Sequence, residues 1–273
     1  MQGAEDANSA RLPLSVTIIA KNEAARLPRV LAALDFADEV LVLDSGSTDD
    51  TPALAEAAGA RVLHTDWPGY GPQKARAERE ARHDWILNLD ADEVVTPALA
   101  AEIRALFDDH RGSPSCAGYH VRILNLYPGN EAPRPFANDY NVVRLYDRRR
   151  AAYREHPLFD RVVLAGGETA GQLRAPVHHM PFLTWAALVD KENRYTSYVA
   201  SAARPRARWG LLLRLPFEMP LVFLKVWLIR RHITGGWKGF AFALVVAFTR
   251  TLRIIKLLER GGAAAPNEAT GEK

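Results

Sequence analysis

Three short polar clusters in this chain hold the residue types that handle phosphates and hard cations. They are Lys21-Asn22-Glu23, the run from Asp44 to Asp50 (Asp-Ser-Gly-Ser-Thr-Asp-Asp), and Asp90-Ala91-Asp92-Glu93. A diphosphate gains negative charge as its bond to carbon breaks, and a divalent ion bridging the phosphates stabilises that charge as a Lewis acid. Mg²⁺ and Mn²⁺ take carboxylate oxygens and keep open positions for phosphate. Asp90 and Asp92, one residue apart in a turn, can divide their work between such a metal and a ribose. An Asp-x-Asp triplet by itself is usually a solvated turn, so the position of the three clusters in the fold has to carry the argument.

That position follows from the elements before each cluster. Leu14–Ile19 is a β-branched apolar run and reads as a strand, Glu39–Leu43 as a second, Arg61–His64 as a third and Trp85–Leu89 as a fourth. Between them, apolar residues at helical spacing predict a helix over Glu23–Leu34. A second is predicted up to about Ala58, capped by Ser47 or Thr48, and a third over Lys74–Arg82. Thr96-Pro97 opens another helix. Alternating strands and helices predict a parallel sheet covered by helices. Ligands of such sheets bind at the carboxyl ends of the strands, and the clusters directly follow strands one, two and four. Beyond residue 110, Gly118–Leu126 and Asn141–Tyr146 read as strands, and Tyr127–Asp139 as a loop over the site. The chain has no Gly-x-x-x-x-Gly-Lys motif, and no Gly-x-Gly-x-x-Gly follows strand one. This argues against a P-loop NTPase and a dinucleotide-dependent dehydrogenase.

Charge divides the chain unevenly. Residues 204–260 carry twelve Lys/Arg against Glu218 and Glu259, a charge of +10, while the remainder carries −7. Trp209–Ile229 is very apolar but is interrupted by Arg214, Pro216, Glu218, Pro220 and Lys225. Phe240–Phe248 is too short to span a bilayer. Trp, Phe and Leu interleaved with Arg and Lys describe amphipathic helices lying at an anionic membrane surface. The alternative is packing on the chain's own body or on a second copy. The apolar content speaks against nucleic acid as a partner. The expected organisation is a disordered lead-in over 1–12, an α/β domain over 13–203, a basic helical segment over 204–260 and a disordered tail over 261–273.

The runs LSVTIIAKNEAARLPRVLAAL, EVLVLDSGSTDDT and GYGPQKARAEREARHDWILNLDADE resemble family 2 glycosyltransferases of the GT-A fold. Within that family they resemble the branch that adds glucose to the lipopolysaccharide inner core, as do PVHHMPFLTW, VDKENRYTSY and ITGGWKGFAFA. The resemblance implies a Rossmann-like, mostly parallel sheet with helices on both faces, plus C-terminal amphipathic helices. It implies a nucleotide-sugar donor, Mg²⁺ or Mn²⁺ as cofactor and a lipid-linked saccharide acceptor. Asn22, Glu23 and Asp44 would line the nucleoside pocket. Lys74 would lie near the diphosphate, Asp90 would face the ribose or sugar, and Asp92 would hold the metal. His179 matches a family histidine. Asp49 and Asp50 read instead as charges favoured at a helix N-terminus, Lys21 as exposed, and Glu93 equally as a solvated turn residue or a site residue.

An inverting transfer needs a base for the acceptor hydroxyl. In this branch the base belongs to a His-acid pair beyond the Asp-x-Asp turn. Here the segment is Tyr153-Arg154-Glu155-His156-Pro157-Leu158-Phe159-Asp160. Glu155 and Asp160 are both candidates, with His156 as an orienting or base group. The function expected is transfer of glucose from UDP-glucose, with inversion, onto a lipopolysaccharide core or related glycolipid. The enzyme would lie peripherally on the cytoplasmic face of the inner membrane. The rival readings are a polyprenyl-phosphate sugar transferase and a catalytically silent membrane adaptor of the same fold.

Overall fold

The computed structural model describes residues 11–109, 114–137, 139–154, 161–203 and 207–262. The expectations for the chain's two ends fall largely outside these residues. The described residues form two compact units, one within 11–125 and 139–181 and one within 126–137 and 182–262.

The first unit is built on a sheet. Its elements are β1 (Leu12–Ala20), α1 (Leu27–Leu31), β2 (Ala37–Asp44), α2 (Thr51–Ala57), β3 (Arg61–His64), α3 (Tyr70–Glu80), β4 (Trp85–Asp90), β5 (Glu93–Val95), α4 (Pro97–Asp109), β6 (Gly118–Asn125), β7 (Asp139–Asp147), β8 (Ala151–Tyr153), β9 (Val162–Leu164), β10 (Ala170–Gln172) and β11 (Val177–His179). The sheet order is β3-β2-β1-β4-β7-β6-β11-β5, with β10 also on β6. The β3-β2-β1-β4 half is parallel throughout, and β7 then runs antiparallel to both β4 and β6.

Successive strand residues face opposite sides of a sheet, and β1 uses both. Leu14, Val16 and Ile18 pack in one core with Leu27 and Val30 of α1 and Leu99, Ile103 and Phe107 of α4. Ile19 packs on the other face with Leu41, Leu43 and Ala77 of α3. Helices therefore cover both faces, as the sequence predicted. The second face also carries a buried polar row. The Ser15 hydroxyl donates to Glu39 at 2.5 Å, and Asn88 Nδ2 donates to Thr17 Oγ1 at 3.1 Å.

Three helices differ from the sequence reading, α3 by running from Tyr70 to Glu80 and not from Lys74 to Arg82. The first is only Leu27–Leu31, because Asn22 takes a left-handed φ of 56° and residues 23–26 form a turn closed by Leu27 N–H on the Glu23 carbonyl. The second starts at Thr51 without a side-chain cap. Ser47 and Thr48 bind other loops instead.

The second unit contains α5 (Trp185–Ala202), α6 (Arg208–Leu224), a π-helical turn at Lys225–Ile229, a 3-10 turn at His232–Gly235 and α7 (Gly236–Gly262). Thr184 caps α5 by accepting from Ala187 N–H at 3.1 Å. The helices α6 and α7 meet through Phe223 and Phe240, whose ring centroids are 5.1 Å apart. Any side chain at Gly239 would collide with the His232 carbonyl, so the close approach of that turn requires glycine. The loop 127–137 belongs to this unit. Buried Arg134 holds it by donating to the carbonyls of Phe136, Arg230 and Arg231 at 2.7–3.1 Å.

Candidate active site

All three polar clusters lie at the carboxyl edge of the parallel strands. The loops after β1 and β2 brace one another. Asn22 N–H donates to Ser47 Oγ at 2.9 Å, and Asn22 Oδ1 accepts from Thr48 N–H at 2.8 Å. Glu23 N–H donates to Thr51 Oγ1 at 2.7 Å, and Ala24 N–H to Asp49 at 3.2 Å. Asp49 is thus a clamp between loops as well as a charge near α2. Lys21 is exposed.

Asp44 ends β2 and is buried. Its carboxylate accepts from Gly46 N–H at 3.1 Å, Ser47 N–H at 3.0 Å and the Ser47 hydroxyl, and His64 Nδ1 lies at 3.4 Å. Burial alone would raise its pKa, but these donors outweigh it and hold the carboxyl below its usual range. Gly46, at φ 79°, turns the chain so that its amide points back at Asp44. Gln73 of α3 is fully buried beside this turn, donating to Ser45 Oγ at 3.0 Å and to Thr65 Oγ1.

The turn after β4 is held by charge. Asp90 Oδ1 is 2.8 Å from Lys74 Nζ, and its Oδ2 is 3.0 Å from Arg144 Nη2. Arg144 also reaches Glu93 at 2.6 Å and Asn88 Oδ1 at 3.1 Å. Burial pushes Asp90 up, yet the two cations overcome it and keep the carboxyl far below its ordinary range. Burial raises Glu93, with Asp90 adding to the effect against Arg144. Glu93 is not a solvated turn residue: it is 2% exposed and accepts the Asp90 amide at 3.0 Å. A turn carrying three acids in four residues stays folded because Lys74 and Arg144 arrive from α3 and β7.

Asp92 faces other partners. Its Oδ2 lies 3.2 Å from both His179 Nε2 and Arg26 Nη1. Arg26 binds Glu23 with two nitrogens, at 2.5 and 2.6 Å, so it ties the first cluster to the third. Burial raises the Glu23 pKa in spite of that pairing. His179 Nδ1 is 2.7 Å from Asn125 Oδ1, which fixes the ring and turns Nε2 toward Asp92. Burial would lower the imidazole pKa, but the bond to Asp92 and its charge raise it.

Among the described residues there is no group of three or more His, Cys, Asp or Glu side chains able to hold a metal. The Asp92–His179 pair nonetheless suits Mg²⁺ or Mn²⁺. Mg²⁺ commonly takes one or two protein carboxylates and completes its shell with substrate phosphates and water. An imidazole oriented through its other nitrogen is the usual state of a ligating histidine.

Next to this turn lies a cleft of about 500 Å³, lined in part by Asp90, Glu93, His120, Arg144, Tyr153 and His179. Candidates Glu155, His156 and Asp160 fall outside the described residues. Tyr153, two positions before Glu155, and Arg161, directly after Asp160, line the cleft.

The structure thus brings Asn22, Glu23, Asp44, Lys74, Asp90 and Asp92 to one sheet edge. The sequence reading missed Arg26 and Arg144. Arg144 left a trace in the apolar strand Asn-Val-Val-Arg-Leu-Tyr, where an arginine facing the core needs a buried carboxylate. Arg26 left no trace of its contact with Asp92, which lies 66 positions away; only its pairing with Glu23 is local.

Residues 15–166 match the family described as "Glycosyl transferase family 2". The chain belongs to this family, and its α/β sheet with helices on both faces is the GT-A class expected of it. It is 36% identical over 255 residues to an uncharacterized glycosyltransferase of Rickettsia felis, covering 90% of this chain and 89% of the relative. It is 28% identical over 260 residues to the lipopolysaccharide core biosynthesis glycosyltransferase LpsC of Rhizobium meliloti, covering 92% and 93%. Glucosyl-3-phosphoglycerate synthase of Mycobacterium tuberculosis, solved with Mn²⁺, UDP and glucosyl-3-phosphoglycerate, is 27% identical over 45% of this chain and 46% of its own. The chain spans less than half of that structure, and the TM-score of 0.32 makes it no guide to the site.

Proposed function

We propose that this glycosyltransferase moves a hexose, glucose from UDP-glucose, with inversion onto a lipopolysaccharide core or related glycolipid. The observation that carries the reading is the different treatment of Asp90 and Asp92. Asp90 is fixed by two buried cations with its carboxylate still 35% exposed, while Asp92 pairs with the half-buried Arg26 and faces an oriented imidazole. One carboxylate is thereby set to face sugar and the other to face a cation. Similarity to LpsC along nearly the whole chain supports a saccharide acceptor of the lipopolysaccharide core kind.

In this mechanism Asp44 accepts the N–H of the base, beside Asn22 and Glu23 in the nucleoside pocket. Lys74, buried beneath the turn, secures Asp90 against the donor sugar or ribose, and its charge would act on the diphosphate from there. Asp92 and His179 would hold Mg²⁺ or Mn²⁺, which supplies charge neutralisation for the departing diphosphate. The acceptor hydroxyl attacks the anomeric carbon, forming the new C–O bond as the bond to UDP oxygen breaks. The hydroxyl proton passes to Glu155 or Asp160, with His156 assisting.

No helix among the described residues is long and apolar enough to cross a membrane. Trp209, Leu213, Phe217 and Leu221 recur one turn apart on α6 and are exposed, as are Trp237, Phe240, Leu244 and Phe248 on α7. With the +10 charge of residues 204–260, these faces support peripheral attachment to an anionic bilayer surface. The enzyme would then work on the cytoplasmic face of the inner membrane, where a lipid-linked acceptor is presented. The direct test is UDP-glucose turnover on a lipopolysaccharide-core acceptor, with Mn²⁺ and with excess EDTA. The expected result is a glucosylated glycolipid and loss of turnover in EDTA. Turnover unaffected by EDTA would overturn the metal assignment, and an unmodified acceptor would overturn the acceptor class.

A further inference from the structure

Arg144 sits inside β7, between Val143 and Leu145, and is 6% exposed. Taking a guanidinium's charge out of water is costly, and it is rarely buried without carboxylates to receive it. Here it makes three contacts on the side facing β4: Asn88 Oδ1, Glu93 Oε1 and Asp90 Oδ2. Lys74, 1% exposed on α3, holds the other oxygen of Asp90. Each oxygen of one carboxylate is thus gripped by a cation from a different element. Rotating the carboxylate plane would stretch both contacts at once. Glu93 completes the arrangement by accepting the Asp90 amide, which fixes the backbone of the same turn.

We infer that Arg144 is a positioning residue for the transfer: with Lys74 it locks the carboxylate of Asp90 in the one plane that faces the cleft. The inference rests on the proposed role of Asp90 toward the donor sugar. A carboxylate held in place before the substrate arrives needs no reorganisation during the reaction. Misplacing a contact by about 1 Å can cost on the order of a hundredfold in rate. The competing account is that Arg144 only neutralises Glu93 and supports folding.

Two variants separate these accounts. Glu93→Gln removes the second carboxylate and leaves Arg144 on Asp90. The double variant Arg144→Met with Glu93→Gln removes one buried charge of each sign, so the cluster stays neutral and the fold is not left with an unpaired ion. Crystal structures of both are compared first, because they require no donor. Asp90 is expected to keep one orientation in Glu93→Gln and to turn away from it, or adopt several, in the double variant. With UDP-glucose, the double variant should show a kcat at least about tenfold below Glu93→Gln, while UDP affinity by calorimetry changes by no more than about twofold. Arg144→Lys, which keeps a cation near Asp90, should recover part of the loss. An unchanged Asp90 in the double-variant crystal, or a kcat equal to that of Glu93→Gln, would overturn the inference. Absence of UDP-glucose turnover in the parent would count against the donor assignment alone, and the crystallographic comparison would still decide the role of Arg144.

Discussion

In the sheet unit the cations of the site meet carboxylates, whereas the cations of the helical unit meet mostly neutral oxygens. Lys74 and Arg144 are matched by Asp90 and Glu93, and Arg26 by Glu23 and Asp92. In the helical unit Arg134 is spent on backbone carbonyls, and Lys238 binds the Pro128 carbonyl at 3.0 Å and Asn130. Lys256 binds Asn193, Thr196 and Ser197 at 2.6–3.0 Å, and Arg260 donates to the Ala200 and Ser201 carbonyls. Arg214, paired with Glu218 at 2.8 Å, is an exception. A carbonyl satisfies the hydrogen bonds of a cation but not its charge. The helical unit therefore keeps its positive field, while the site carries balanced charges whose geometry is tightly set.

The largest effect that would sharpen this contrast is at Asp92. Asp92→Asn removes a hard ligand charge and leaves Arg26 and His179 without their shared anion. Turnover should fall by at least about 10³, at the upper end for loss of one electrostatic contact in an active site. A steady-state assay with Mn²⁺ checks this, and a variant as active as the parent would move the metal elsewhere.

Next in size is the base. Glu155→Gln or Asp160→Asn should lower kcat by at least about tenfold and leave UDP affinity nearly intact, since general bases contribute more than this. If neither does so, neither carboxylate takes the proton.

Asp44 is held by neutral donors, so its removal should tell on binding more than on rate. Asp44→Ala should raise the donor KM by about ten- to a hundredfold, the range for a hydrogen bond to a charged group. UDP bound as tightly as by the parent would place the nucleoside pocket elsewhere.

The helical unit offers two tests of its uncompensated charge. The protein should bind anionic vesicles better than neutral ones, and 1 M salt, where the Debye length falls to about 3 Å, should release only part of it. Alkaline carbonate should extract most of it. No binding to anionic vesicles at low salt would favour burial of the exposed faces against protein.

The smallest effect concerns His232, which is 6% exposed and bonded through Nδ1 to the Tyr127 hydroxyl at 2.7 Å. Burial, with Arg134 and Arg230 adding to it, pushes its pKa down from 6.5 to about 4. The unfolded chain binds the proton first as pH falls, so this contribution is complete above about pH 6.5 and lost progressively toward about pH 4. The urea midpoint of the helical unit should fall through that window, and His232→Gln should flatten the dependence. An equally steep fall in the variant would assign it to other groups.

The sheet half was legible because its signals are local. The β-branched runs mark the strands, and the polar residues directly after them mark the edge where ligands bind. Order and spacing therefore marked the three clusters, and the resemblance to family 2 glycosyltransferases singled out Asp44, Asp90 and Asp92 among their acids. Helix limits were less legible. Glu23–Leu34 has helical periodicity, but the same residues must also brace the β2 loop, and tertiary contacts cut the helix to five residues. The fate of Ser47 shows the same competition: a good cap by type, it is taken instead by Asp44 and Asn22.

By itself the sequence determined which segments are the strands of the parallel edge, the acids that follow them and the concentration of positive charge near the carboxyl end. Only the tertiary structure decided which cation answers which acid. Arg26 reaches Asp92 across 66 positions and Arg144 reaches Asp90 across 54. No periodicity extends over such distances, and several arginines could have served. The choice was made when β7 paired antiparallel beside β4 and set one arginine of its apolar strand against the turn that needed it.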